Sequence, residues 1–91
     1  MENLKTVQIK VKGKVQGVGF RYYTQKKAQE FNIKGFVQNK PDGSVYIEAE
    51  GKRIDVDTFC DWCTRGPEWS RVLDCKISEL PSGEFIQFDI R

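Results

Sequence analysis

Val7, Ile9 and Val11 alternate with Gln8, Lys10 and Lys12 over residues 6–12, the two-residue period of a strand with one wet face. The period then changes. Phe20, Tyr23, Thr24, Ala28 and Phe31 share one helical stripe, with Lys26, Lys27 and Glu30 turned toward water, so a helix starting at about Phe20 or Arg21 runs to Phe31. Asn32 stops it, and residues 34–38 return to an extended pattern. The segment Asn39-Lys40-Pro41-Asp42-Gly43-Ser44 has the chemistry of a hairpin turn, and Val45, Ile47 and Ala49 mark the return strand over 45–50. A second helix, capped by Asp55 or Asp57, extends to about Arg65 and stops at Gly66-Pro67. Leu73, Cys75 and Ile77 mark a fourth strand. After the Pro81-Ser82-Gly83 turn, a last strand over 85–91 carries Ile86, Phe88 and Ile90 on one side.

This order of periods constrains the fold more than composition does. Strand, helix, strand, strand, helix, strand and a terminal strand predict an α+β fold, the ferredoxin-like β-α-β-β-α-β sandwich with both helices on one sheet face. A right-handed crossover would make the first two strands parallel, with the third inserted antiparallel between them. Residues 1–91 are expected to form one domain, because half of such a chain could not bury a useful core.

Composition excludes little beyond that. No apolar run approaches a membrane span, and the first residues lack the apolar stretch of a signal peptide, so a cytoplasmic location is the expectation. A formal charge of +2 is too small to indicate nucleic acid, although Lys10, Lys12, Lys14, Arg21, Lys34 and Lys40 lie near one end of the expected sheet. Cys60, Cys63 and Cys75 are an odd number, and Val56, Phe59, Cys60 and Cys63 follow the spacing of a buried helix face. Core packing is therefore favoured over a redox or zinc pair. A chain without histidine could complete three thiolates only with a carboxylate or water.

The expected topology gives one segment a chemical meaning. In G-K-V-Q-G-V-G-F-R, residues 13–21, Gly17 and Gly19 allow left-handed dihedrals, so successive backbone N–H groups can converge on an anion. The helix that follows would aim its N-terminal N–H groups at the same point, and Arg21 adds a fork of donors suited to phosphate. Parallel first and second strands deliver Gly13 and Asn39 to one sheet edge, roughly 10 Å apart across the inserted strand. A phosphate cradle then faces a carboxamide.

No histidine nucleophile, cysteine-phosphatase spacing or P-loop accompanies this site. Asp55-Val56-Asp57-Thr58 resembles an aspartyl-phosphatase string but opens a helix, and is read as capping. Without a nucleophile or strong base, the reaction must be one where the scissile bond is already weak. Acyl phosphates meet this condition, since a carboxylate leaves without a general acid and phosphoryl transfer depends on alignment and charge. Arg21 and the loop would hold the phosphoryl oxygens, Asn39 would orient a water, and a substrate oxygen would take its proton.

The chain resembles the acylphosphatase family over nearly its whole length. Val-Gln-Gly-Val-Gly-Phe-Arg, residues 15–21, and Gly-Phe-Val-Gln-Asn-Lys-Pro-Asp-Gly-Ser-Val, residues 35–45, followed by Gly51, are similar to its two signatures. Gly66-Pro67 and Phe88-Asp89-Ile90-Arg91 look like its later landmarks. The resemblance implies hydrolysis of acyl phosphates to carboxylate and inorganic phosphate without metal or organic cofactor. It assigns catalysis to Arg21 and Asn39 and phosphate binding to residues 16–21. The partners it implies are a small acyl phosphate and inorganic phosphate as product or inhibitor, with a monomer as the expected state and no nucleic acid or membrane partner. Phe36 stands where a larger aromatic is common, and Lys40-Pro41 after Asn39 departs from the usual pattern. The alternative is a non-catalytic anion- or RNA-binding module on the same topology, because Lys34-Gly35-Phe36-Val37 faintly resembles an RNA-binding strand signature.

Overall fold

The computed structural model describes residues 3–91 of the chain. Its elements are β1 (Leu4–Lys14), α1 (Phe20–Glu30), β2 (Lys34–Asn39), β3 (Val45–Lys52), α2 (Arg53–Arg65), β4 (Arg71–Leu80) and β5 (Phe88–Ile90). The strands form one sheet in the order β4-β1-β3-β2-β5, antiparallel except where β5 runs parallel to β2. The ferredoxin-like expectation holds, including β3 between the parallel β1 and β2.

Alternation in β1 and β3 decides which face is covered. Val7, Ile9 and Val11 pair with Ala49, Ile47 and Val45, and all six are wholly buried beneath the helices. Each such aliphatic side chain contributes about 1.5–3 kcal/mol by leaving water. From α1 come Phe20, Thr24 and Ala28; from α2 come Val56, Phe59, Cys60 and Cys63. Tyr23 is not part of the buried stripe: it stands 44% exposed, because the i, i+4, i+8 line through Phe20 takes the core contact. The core reading of the cysteines fits this packing. Burial raises the thiol of Cys60 to about 11 and that of Cys63 well above its ordinary value, so neither is a thiolate at neutral pH.

Two local expectations are corrected, the cap of α2 and the extent of the last strand, while the fourth strand forms as expected but carries a bulge. α2 begins at Arg53, with Lys52 at the cap and no side-chain capping bond, so Asp55 lies in the first turn and Asp57 in the helix body, where it meets Lys5 at 2.9 Å. In β4 the register shifts between Lys12 and Gly13, which leaves Leu73 as an extra residue. The bulge turns it outward, 72% exposed, while Val72 packs on the core instead. The terminal strand is confined to Phe88–Ile90, and Ile86 is 84% exposed. Glu84 takes a left-handed φ of 53° there, and Phe85 sits beside Phe36 on the sheet's open face, with ring centroids 6.0 Å apart. Phe88 turns to the helical side, against Phe59 at 6.1 Å, and Ile90, paired with buried Val37, shares that side.

Glu50 holds that terminal loop to the sheet. Its Oε2 accepts from Thr6 Oγ1 at 2.5 Å, Ser82 Oγ at 2.8 Å and the Gly83 N–H at 3.0 Å. Burial acts to raise this carboxyl's pKa, but the bonds from Thr6, Ser82 and the Gly83 and Phe85 backbone outweigh it and leave the pKa below the ordinary 4.5. A carboxyl depressed in the fold contributes stability above its unfolded pKa and loses it as pH falls through the folded value. We therefore expect Glu50→Gln to cost about 1 kcal/mol at pH 7, a figure reduced for solvent screening. Urea unfolding at stepped pH should show the gap to wild type closing as pH drops below 4.5, the group's ordinary value. A gap that persists unchanged in acid would remove the carboxylate from this account.

Candidate functional site

The chain leaves β1 at Lys14, buries Val15 and crosses the top of the sheet through residues 16–19 before α1 begins at Phe20. Two left-handed glycines make this possible, Gly17 at φ 75° and Gly19 at φ 79°. Gly19 is the residue capping α1, and it has no side chain with which to occupy the helix's free N–H groups. The first turn also lacks an acidic residue. Its positive end therefore has no compensating side chain in the helix's own first turn. Val18 packs on the core and fixes the loop from below; Phe20 is buried against Trp62, so only its backbone can serve the loop.

Gly17, Gly19, Phe20, Arg21 and Asn39 line one cavity of about 220 Å³, together with Val15, Tyr22 and Ile90. The strand registers explain the meeting. Val11 of β1 pairs with Val45 of β3, which pairs with Asn39 of β2, so the end of β1 and Asn39 share a sheet edge two strand spacings apart. At ordinary strand spacing that is roughly 10 Å. Val37, Val45 and Asn39 belong to the helix-covered side of the sheet by alternation, the side on which α1 starts.

Arg21 is half-buried, and its Nη1 donates to the Arg91 carbonyl at 3.3 Å. This single long bond occupies one of five donors in the guanidinium. Asn39 has the opposite condition: its Oδ1 is buried and accepts no hydrogen bond from the described residues.

Of the residues expected to bind substrate, Gln16 stands apart. Its side chain is turned to the β2–β3 hairpin, where Nε2 donates to the carbonyls of Lys40 at 2.8 Å and Ser44 at 2.9 Å. Gln16 and Val18 do not line the cavity; Gly17, Gly19, Phe20, Arg21 and Asn39 do. Sequence reasoning missed Tyr22 and Ile90. Tyr22 is 53% exposed beside Arg21, and its position at the cavity rim follows from its adjacency in the helix. Ile90 arrives through the parallel pairing of β5 with β2, opposite Val37, a placement that no local pattern encodes.

The chemistry available here is anion binding and orientation. The three cysteines lie in α2 and β4, with their thiols raised by burial, and none lines the cavity. Among the described residues, no three His, Cys, Asp or Glu side chains are grouped so as to hold a metal ion.

Comparison with known proteins agrees with this fold. The sequence model of the acylphosphatase family matches residues 7–90. An acylphosphatase of Oceanobacillus iheyensis is 43% identical over 90 residues, covering 97% of this chain and 99% of that protein. The solved structure of an acylphosphatase from Coxiella burnetii superposes with a TM-score of 0.94 at 32% identity, over 98% of this chain and 94% of the other. Full-length HypF also contains a similar unit, with a TM-score of 0.89 and 31% identity, but there the whole of this chain corresponds to 12% of the larger one. The shared sequence pattern, the near end-to-end match to freestanding relatives and the superposed fold place this chain in the acylphosphatase family.

Proposed function

We propose that this chain is an acylphosphatase enzyme, hydrolysing acyl phosphates to a carboxylate and inorganic phosphate in the cavity shared by Arg21, the glycine loop and Asn39. The observation that carries the reading is this convergence. A phosphate-sized cleft has donors on one wall and, on the other, a carboxamide whose oxygen is unpaired.

In this reading the loop N–H groups and the α1 N-terminus bind the phosphoryl oxygens, while the Arg21 fork follows their charge as the P–O bond to the acyl group lengthens. Asn39 orients a water in line with that bond. An amide is no base at neutral pH, so the water's proton passes to a phosphoryl oxygen of the substrate. The leaving group departs as a carboxylate and takes no proton. No residue forms a covalent intermediate, and the protein's contribution is position and field.

The competing RNA-binding reading is disfavoured by the open sheet face. Phe36 is only 7% exposed and lies under the Arg91 guanidinium at 3.9 Å, with Tyr46 and Phe85 each 6.0 Å away. A ring covered in this way offers no platform for a base. The deciding measurement is steady-state hydrolysis of benzoyl phosphate by the purified chain, with inorganic phosphate added. Turnover that phosphate inhibits competitively is expected, and EDTA should leave it unchanged. Salt-sensitive RNA binding without hydrolysis would overturn the proposal in favour of the module.

A further inference from the structure

We infer that Gln16 is a positioning residue that acts through its side chain on the Asn39 hairpin, not on the phosphoryl group. The inference rests on the proposed function, because it assigns Gln16 to the placement of the carboxamide that orients water. Its basis is the pair of bonds from Nε2 to Lys40 O and Ser44 O across 24 and 28 residues of sequence.

Those two carbonyls are the ones that close the turn. Lys40 N–H donates to Ser44 O at 2.9 Å, and Gly43 N–H donates to Lys40 O at 3.1 Å. Each carbonyl therefore accepts one bond from within the hairpin and a second from Gln16. A carboxamide nitrogen carries two hydrogens, and here each goes to one side of the turn's mouth. Lys40 directly follows Asn39, so the contact fixes the backbone one residue from the group it serves. Gln16 in turn lies between buried Val15 and the first left-handed glycine, at the point where the loop begins.

The hairpin itself does not need this bond to form. Asp42 Oδ1 accepts from the Ser44 hydroxyl at 2.6 Å and the Ser44 N–H at 3.0 Å, and Oδ2 lies 3.2 Å from Lys10 Nζ. These contacts, those of Ser44 first, hold the Asp42 carboxyl well below the usual carboxylate range. What Gln16 adds is the link between a turn that is already organised and the loop on the other wall of the cavity. The relative placement of phosphate cradle and water depends on it.

The consequence is specific. Gln16→Met keeps the length and bulk of the side chain but has no donor, while each turn carbonyl retains its internal bond. Its kcat for benzoyl phosphate should fall about 10- to 100-fold, the scale of a displacement on the order of 1 Å. KM and the inhibition constant of inorganic phosphate should stay within about 2-fold, since the cradle is untouched. Gln16→Glu should lower kcat similarly, because a carboxylate facing two carbonyls cannot donate to either, and its negative charge in the loop should weaken phosphate inhibition as well.

The discriminating arm is a double-mutant cycle with Asn39→Ala. If Gln16 acts by placing Asn39, then adding Gln16→Met to Asn39→Ala should cost less than about 3-fold in kcat, as expected for residues acting in one unit. Losses that multiply, with Asn39→Ala impaired, would overturn the assignment and leave the role of Asn39 standing. A phosphate inhibition constant raised tenfold at unchanged kcat would also overturn it and make the side chain a phosphate ligand. Wild-type turnover in Asn39→Ala alone would sink the underlying reading, and this inference with it. Far-ultraviolet circular dichroism and phosphate-induced thermal stabilisation confirm folding in each variant before the rates are compared.

Discussion

Arg21→Ala is expected to lower kcat/KM for benzoyl phosphate roughly 10³-fold or more, the scale on which a guanidinium serves a phosphoryl transition state. The same substitution should abolish the rise in melting temperature that inorganic phosphate gives the wild type, since stabilisation by a ligand follows its affinity for the native state. Folding should survive, because Arg21 is half-buried in the first turn of α1 and makes one 3.3 Å bond to the Arg91 carbonyl. A loss within about 0.5 kcal/mol of stability is in keeping with such a position. Arg21→Lys separates charge from shape: it keeps the positive charge but cannot make a planar bidentate contact, so an intermediate loss of about 10²-fold is expected. Wild-type rates in both variants would show that the loop amides alone bind and activate the phosphoryl group.

The site was legible in part because its two walls are announced by different kinds of signal. Gly17, Gly19 and Arg21 are adjacent in sequence, and their chemistry is local. Asn39 is remote, but alternation in β1 and β3 and the helical stripe of α1 determine the order of elements, and that order fixes the edge where β2 ends. The same reasoning failed wherever a side chain's direction depends on tertiary register. Leu73 alternates with Cys75 and Ile77 in sequence, but a one-residue bulge opposite Lys12 and Gly13 puts Val72 against the core instead. Ile86 alternates with Phe88 and Ile90, yet the chain turns at Glu84 and uses Phe85 on the opposite face. Asp55 and Asp57 look like caps because their side chains suit that role, while the β3 backbone passes straight into α2 through Lys52. The placement of the Gln16 side chain depends on hydrogen bonds to Lys40 and Ser44, and amide donors facing main-chain carbonyls leave no pattern in side-chain chemistry.

For Asn39→Ala the informative expectation is that activity and stability move in opposite directions. The carboxamide lines the cavity, and its buried oxygen has no partner, so replacing it removes an unsatisfied acceptor and no hydrogen bond to that atom. Stability should be unchanged or higher by about 1 kcal/mol. The rate should nonetheless fall about 10²- to 10³-fold, because an unoriented water loses the alignment on which the reaction depends. Phosphate inhibition should be preserved, since the cradle of Arg21 and loop amides is intact. Asn39→Asp gives the complementary result: the shape is kept, but a carboxylate then faces the bound phosphoryl group, so repulsion should weaken phosphate inhibition as well as turnover. Lowering the pH should protonate that carboxyl and restore part of the affinity, a recovery that Asn39→Ala cannot show. An alanine variant that loses stability together with activity would identify Asn39 as a structural residue of the β2 terminus, and the water would then need another guide.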